Sequence, residues 1–280
     1  MKEEIRDREG SGGIDRFTVM SAKGGWAVCV RTHCHIKFTS YTVQLVDLNT
    51  GEIQEAKERR ISATKLLPLQ EDGEMSFSSE KLRSAVIRRA DVTNILVGVP
   101  SIGLDARFIL HSRKGQAFSN RASGSKKRND IAVCSTDCFL KVDGFIRIGE
   151  KRTDFDDDSD VVAVSQQIRG KTEKEVRAAK LCLCSPDAGF CIPYSAKGVV
   201  FLKEQVRIID KVSIGKTAES SVLVSNPDGR LNLRVGLYSR SNEKKQAAGR
   251  YEFGRFSGVL TLDDGTAISF DEAAGFMQKD

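Results

Sequence analysis

The chain has 280 residues, of which 40% are hydrophobic, enough for a sizeable core. No stretch approaches the about 18 uninterrupted apolar residues of a membrane-spanning helix, and no apolar run follows the charged N-terminus, so a secretory signal and an anchor are not expected. A cytoplasmic or nuclear protein follows, with seven cysteines read as reduced, buried thiols because their number is odd and their spacing frames no disulfide. The net charge of +6 is clustered: residues 105–128 sum to +6, residues 230–255 to +5, and the rest of the chain to −5. Clustered positive charge is the pattern of a surface that meets phosphate.

Residues 1–20 are expected to form a flexible tail and residues 21–280 a β-rich globular region, with a candidate division into two domains near 150–160. Short runs of alternating polarity at 26–31, 41–47, 94–99 and 107–111 read as strands, separated by turn signals at Asn49-Thr50-Gly51 and Asp72-Gly73. Ser79 can cap a helix in which Leu82, Ala85, Val86 and Ala90 share a face. Cys138, Leu140, Val142, Gly144, Ile146 and Ile148 alternate with polar and aromatic residues as one strand or a bent hairpin. Thr172 to Glu175 has capping-box spacing before an apolar run, which predicts a second helix up to Lys180. Further strands are expected over 199–209, 231–237 and 256–262, with strong hairpin signals at Asn226-Pro227-Asp228-Gly229 and Asp264-Gly265. A last short helix is expected over 271–277. The fold class is therefore mainly β, an antiparallel sandwich or jelly-roll-like barrel with two or three short helices, with α+β as the alternative.

The basic loop at 112–129 is the sharpest candidate for function. Arg113 and Lys114 are separated by eleven residues from Lys126, Lys127 and Arg128, spacing similar to a bipartite nuclear-localisation signal read by an import receptor, and Arg121 adds a cation within it. The second basic stretch places Arg234, Arg240, Lys244, Lys245, Arg250 and Arg255 among Tyr238, Tyr251, Phe253 and Phe256. That composition suits single-stranded nucleic acid, with bases stacking on rings and cations holding phosphates, although strand alternation alone produces the same string.

Other chemistry is weakly signalled. Cys29, His33, Cys34 and His35, and separately Cys182, Cys184 and Cys191, lack the paired spacing of zinc knuckles, so no metal is expected. The acidic run from Asp154 to Asp160 has Ser159 and Ser165 where a calcium loop needs glycine and glutamate. Gly215-Lys216-Thr217 and Gly170-Lys171-Thr172 lack the leading glycine of a phosphate loop, and the three histidines leave few bases for a triad. No cofactor and no catalytic residue is assigned.

The run Tyr41, Thr42, Val43, Gln44, Leu45, Val46, Asp47 resembles the apolar strand ending in aspartate of plant-virus movement proteins of the 30K class, and Phe256 to Leu262 is similar to a strand of some members. Leu48 and Asn49 follow where that family commonly has a basic residue. The resemblance implies binding of single-stranded nucleic acid, with Asp47 structurally important. The expectation is thus a non-enzymatic protein that binds RNA or single-stranded DNA through Arg113, Lys114, Arg121, Lys126, Lys127, Arg128, Arg240, Lys244, Lys245 and Arg250. The alternative is a structural, matrix-type protein that uses the same charge on anionic membranes or a protein partner.

Overall fold

The computed structural model describes residues 12–278 except 36, 62–71, 113–117, 124–130, 140, 157–158, 170–178, 194–196, 203–204, 219–220 and 238–250. The strands in chain order are β1 (Gly13–Ser21), β2 (Trp26–Cys34), β3 (Thr39–Asp47), β4 (Ile53–Arg60), β5 (Gly73–Ser78), β6 (Arg83–Arg89), β7 (Val92–Val99) and β8 (Leu104–His111). They continue as β9 (Phe118–Ser123), β10 (Ile131–Phe139), β11 (Val142–Ile148), β12 (Lys151–Phe155), β13 (Val162–Arg169), β14 (Ala179–Cys184) and β15 (Ala188–Pro193). The last are β16 (Gly198–Leu202), β17 (Val206–Ile209), β18 (Ser213–Ala218), β19 (Ser221–Ser225), β20 (Leu231–Leu237), β21 (Tyr251–Thr261) and β22 (Ala267–Gln278).

These strands form three antiparallel sheets. A middle sheet runs β4-β3-β2-β1-β13-β10-β9, an outer sheet runs β12-β11-β8-β7-β6-β5, and a C-terminal sheet runs β17-β16-β15-β14-β22-β21-β20-β19-β18. The middle and outer sheets pack face to face over an apolar core in which Trp26, Phe108 and Phe155 stack with ring centroids 5.8–6.4 Å apart. The C-terminal sheet curls round its own core, which includes Leu183, Phe190, Leu233 and Phe256. Its two edge strands, β17 and β18, are consecutive in the chain and joined through residues 210–212, so the sheet almost returns to its start. A third apolar layer seals the other face of the middle sheet against the C-terminal sheet, with Met20, Val46 and Val164 meeting Phe201, Phe253 and Phe276. Across that seam Arg255 donates to the Ala22 carbonyl (3.2 Å) and to Asn49 Oδ1 (2.6 Å), tying β21 to two turns of the middle sheet.

The β assignment and both strong hairpins hold. Gly229 takes φ +72 and donates to the Asn226 carbonyl, and Gly265 takes φ +85 and donates to that of Leu262. The helices expected after Ser79 and over 271–277 do not form, and among the described residues the only helix is a 3-10 turn at Pro100–Ile102. In the segment after Ser79, Ser84, Val86 and Arg88 alternate inward against Arg83, Ala85 and Ile87, so a period of two wins over the helical spacing. Ser79 instead closes a turn, its Oγ accepting from the backbone N–H of Lys81 and Leu82. The segment 271–277 lies within β22, whose residues 273–277 are buried on both faces: Ala273 and Met277 enter the C-terminal core while Ala274 and Phe276 enter the seam. Burial on both sides erases the polar alternation that marks an exposed strand. The helix start expected at Thr172 lies outside the described residues, and Ala179 and Lys180 belong to β14.

The chain is also divided differently from its composition. β1 takes up residues 13–20 of the stretch expected to be a tail and lies at the centre of the middle sheet, and residues 1–11 lie outside the described residues. Residues 151–155 form β12, and the chain crosses to the C-terminal sheet later, between Arg169 and Ala179. The alternating run from Cys138 to Ile148 is two strands in different sheets, β10 and β11. Among the described residues no helix is long and apolar enough to cross a membrane.

Candidate active site

The interior between the middle and outer sheets changes character along the strands. In β1, Phe17 and Val19 point at the outer sheet, and two residues earlier Asp15 occupies the same phase. In β13 the inward series runs Ala163, Ser165, Gln167, Arg169, and in β10 it runs Phe139, Asp137, Ser135. β2 contributes Thr32 and Cys34, and β3 contributes Thr39. From the outer sheet Arg88 and Thr93, paired across β6 and β7, face the same region. One end of the sandwich is thus a polar chamber built from alternate residues of seven strands.

Its charges are deeply buried: Asp15 is 1% exposed, Arg88 6% and Asp137 7%. Arg169 makes an ion pair with Asp15 (2.5 Å), yet neither carboxylate oxygen of Asp15 accepts a well-aligned hydrogen bond among the described residues. Burial pulls the Arg88 guanidinium below its ordinary value, while Asp15 and Asp72 oppose that shift. Burial pushes the Cys34 thiol up to about 11, against the Thr39 hydroxyl, which donates to its sulfur at 3.6 Å. By strand register Asp15 pairs with Gln167 while Asp137 pairs with Ser165, so the carboxylates lie two strands apart, roughly 10 Å laterally, on one face. Buried charge is costly unless compensated, and native proteins retain it where chemistry needs it. The arrangement can move protons: two carboxylates face one polar region of the interior, with guanidinium, hydroxyl and amide groups around them.

The far face of the middle sheet carries a second polar row towards the C-terminal sheet. Arg16 donates to Gln166 Oε1 (3.2 Å), and the Gln166 amide points at Cys182 Sγ (3.8 Å). Cys182 and Cys191 are register partners with sulfurs 2.8 Å apart, and Cys138 and Cys184 lie in the same seam. Each described cysteine is free and buried.

The residues singled out from sequence fall elsewhere. Arg113, Lys114, Lys126, Lys127, Arg128, Arg240, Lys244, Lys245 and Arg250 lie outside the described residues. Arg121 sits in β9, at the edge of the middle sheet, opposite Val133. Phe253 and Phe256 are buried, so neither of these two rings offers a face to a base, and Tyr238 lies outside the described residues. His33 and Cys34 point to opposite faces of β2, and His35 stacks on Phe38 at 4.9 Å, so the first Cys/His group does not converge. Asp47 ends β3 and its Oδ1 accepts from the backbone N–H of Asn49 (2.7 Å) and Thr50 (3.1 Å), a local turn function. Asp15, Asp137, Arg88 and Arg169 were not singled out. Their signal is a charge in phase with apolar neighbours of the same strand, visible only once the strands are known.

No protein-family model matches the chain, and no curated relative does. Solved structures do. Kievitone hydratase from Nectria haematococca is similar over 96% of this chain and 87% of its own, with 10% identity and a TM-score of 0.50. A putative AttH from Nitrosomonas europaea is similar over 98% and 93%, with 10% identity and a TM-score of 0.56. CghA in complex with Sch210972 is similar over 96% and 89%, with 8% identity and a TM-score of 0.56. At these identities the likeness is one of fold. It corrects the expectation of a non-enzymatic nucleic-acid-binding or matrix-type protein, and the movement-protein resemblance with it. The chains that share this fold include a hydratase and a protein crystallised with a small molecule. Clustered charge and a short apolar strand say nothing of an enclosed chamber, which explains the misreading.

Proposed function

We propose that the protein is an enzyme that adds water to a small organic molecule, or removes it, in the polar chamber between the middle and outer sheets. The observation that carries this reading is Asp15, 1% exposed and ion-paired with Arg169, with neither carboxylate oxygen accepting a well-aligned hydrogen bond among the described residues. A purely structural carboxylate at that depth would have its acceptors filled. In the hydration direction Asp15 takes a proton from water as the new C–O bond forms, and Asp137 gives a proton to the adjacent carbon, so one water is added and no redox change occurs. The two carboxylates then exchange the proton through solvent to restore the starting state. Arg169 holds Asp15 in place, and Arg88 supplies positive charge for developing negative charge on the substrate. The likeness to a hydratase supports the reaction class. The six buried free thiols support a reducing, intracellular place of work, cytoplasmic or nuclear.

The test is incubation with kievitone and a panel of small alkenes and enones in isotopically labelled water, read by mass spectrometry. A product heavier by one labelled water is expected from the natural chain. Asp15→Asn and Asp137→Asn, both folded by circular dichroism, are expected to lose it by at least about a hundredfold. Turnover that survives in both variants would overturn the assignment, and no addition to any member of the panel would remove the reaction class.

A further inference from the structure

The outer sheet turns its second face away from the sandwich, and that face is not uniformly hydrophilic. β5 to β8, β11 and the end of β4 line a groove of about 850 Å³. Its floor is apolar, with Leu96 39% exposed beside Ala85, while the Phe145 ring at its border is covered by the Arg152 guanidinium at 4.0 Å. Four guanidinium groups surround the floor: Arg59, Arg60, Arg83 and Arg107. The single carboxylate in the lining, Asp105, is already engaged by Arg147 at 2.8 Å. Arg107 reaches only the amide oxygen of Asn94, at 3.4 Å, and Arg59 lies over the Phe38 ring. Among the described residues Arg60 and Arg83 make no ion pair.

Gly98 on β7 shapes this site. A Cβ there would sit 3.2–3.3 Å from Nε and Nη2 of Arg83, so the missing side chain lets that guanidinium lie flat across the strand into the groove. An arginine laid over a sheet beside an exposed leucine presents its charge next to an apolar surface.

We propose that this groove is a binding site for an amphipathic organic anion, its apolar body on Leu96 and Ala85 and its carboxylate, sulfonate or phosphate between Arg83 and Arg107. Charge complementarity commits the site to an anion, and its volume lies in the range of small-molecule pockets, about 300–1,000 Å³. The groove opens on the opposite side of the outer sheet from the acid–base chamber, so it is independent of the enzymatic reading.

Calorimetric titration of the full chain with naphthalene sulfonate and with its uncharged analogue naphthalene methanol tests the site. The sulfonate is expected to bind more tightly than the alcohol and to weaken as salt is added. Arg83→Gln and Arg107→Gln are each expected to weaken the sulfonate by about tenfold. Gly98→Ala, which displaces Arg83 without removing it, is expected to weaken it by a smaller factor. Asp15→Asn is expected to leave this binding unchanged, which separates the groove from the chamber. Equal affinity for the two probes, undiminished binding in both arginine variants, or loss of binding in Asp15→Asn would each overturn the proposal. A mass of two chains in light scattering, falling to one when Leu96→Ser is introduced, would also overturn it by assigning the face to a second copy.

Discussion

The sandwich interior has two ends built on the same strands, and they differ in what they contribute. At one end Trp26, Phe108 and Phe155 stack, with Val19, Val28 and Ala163 packed round them. At the other, one or two alternations further along β1, β2, β10 and β13, the same inward phase carries Asp15, Thr32, Asp137 and Gln167. The hydrogen-bonded ladders continue without a break from one to the other. Backbone pairing therefore does not distinguish the ends, and side-chain chemistry alone decides which is a core and which is a chamber. The apolar end supplies burial energy that the polar end consumes, so substitutions should affect stability and turnover in opposite proportions.

The largest effect is expected at the apolar end. Phe108→Ala removes a fully buried ring from the aromatic stack and should lower unfolding free energy by about 3–5 kcal/mol in a urea titration. A loss below about 1 kcal/mol would show that the stack is not the anchor of the sandwich. At the polar end Asp15→Ala should cost somewhat less, about 3 kcal/mol, because it strands Arg169, which retains 19% side-chain exposure. The double replacement Asp15→Leu with Arg169→Met should recover that loss or exceed the natural stability while abolishing turnover. A double variant as unstable as Asp15→Ala would mean that the charges hold the fold together, and the contrast between the ends would fail.

The pH dependence is expected to be smaller and to have opposite signs at the two ends. Cys34 at the polar end has its thiol raised from 9.0 to about 11, so the folded chain holds that proton more tightly than the unfolded one. Its contribution is intact below 9.0 and is lost as pH climbs towards 11, and Cys34→Ala should flatten that part of the alkaline limb. Asp47, opposite Trp26 at the apolar end, is held below its ordinary 3.8 chiefly by the Asn49 N–H. Its contribution is present above 3.8 and disappears as pH falls through the lower folded value. Asp47→Asn should remove this small acid-side drop, well under about 1 kcal/mol because solvent screens an exposed carboxylate. Urea midpoints measured across pH for both variants check the two signs together.

Much of the architecture was legible because partly exposed antiparallel strands declare themselves by alternation. β8 shows it, with Ala106, Phe108 and Leu110 inward against Arg107 and Ile109, and so does β20, with Leu231 and Leu233 inward. The strands that escaped are those where both faces meet protein. β1 is buried throughout and carries Asp15 and Arg16 side by side, one towards each neighbouring sheet, so it read as a charged tail. The end of β22, residues 273–277, is buried on both sides, and the segment 271–277 read as a helix. The site escaped for the same reason: its members come from β1, β2, β3, β6, β7, β10 and β13, and only register brings them together. Basic runs drew attention because they are contiguous in sequence, and contiguity carries no information about an enclosed chamber.

The charged character of β4 has a further consequence for how copies of the chain coexist. β4 is an edge of the middle sheet and shows solvent Gln54, Glu55, Lys57, Arg59 and Arg60. β12, an edge of the outer sheet, does the same with Lys151, Arg152 and Asp154. Another chain that tried to extend either ladder would have to strip water from these groups and set like charges beside each other. A molecule made almost wholly of strands is an obvious seed for cross-β stacking, and these two borders are among the sheet edges where stacking would begin. Their ionic fringe is a safeguard against fibril growth, written into strands that hold no part of the chamber.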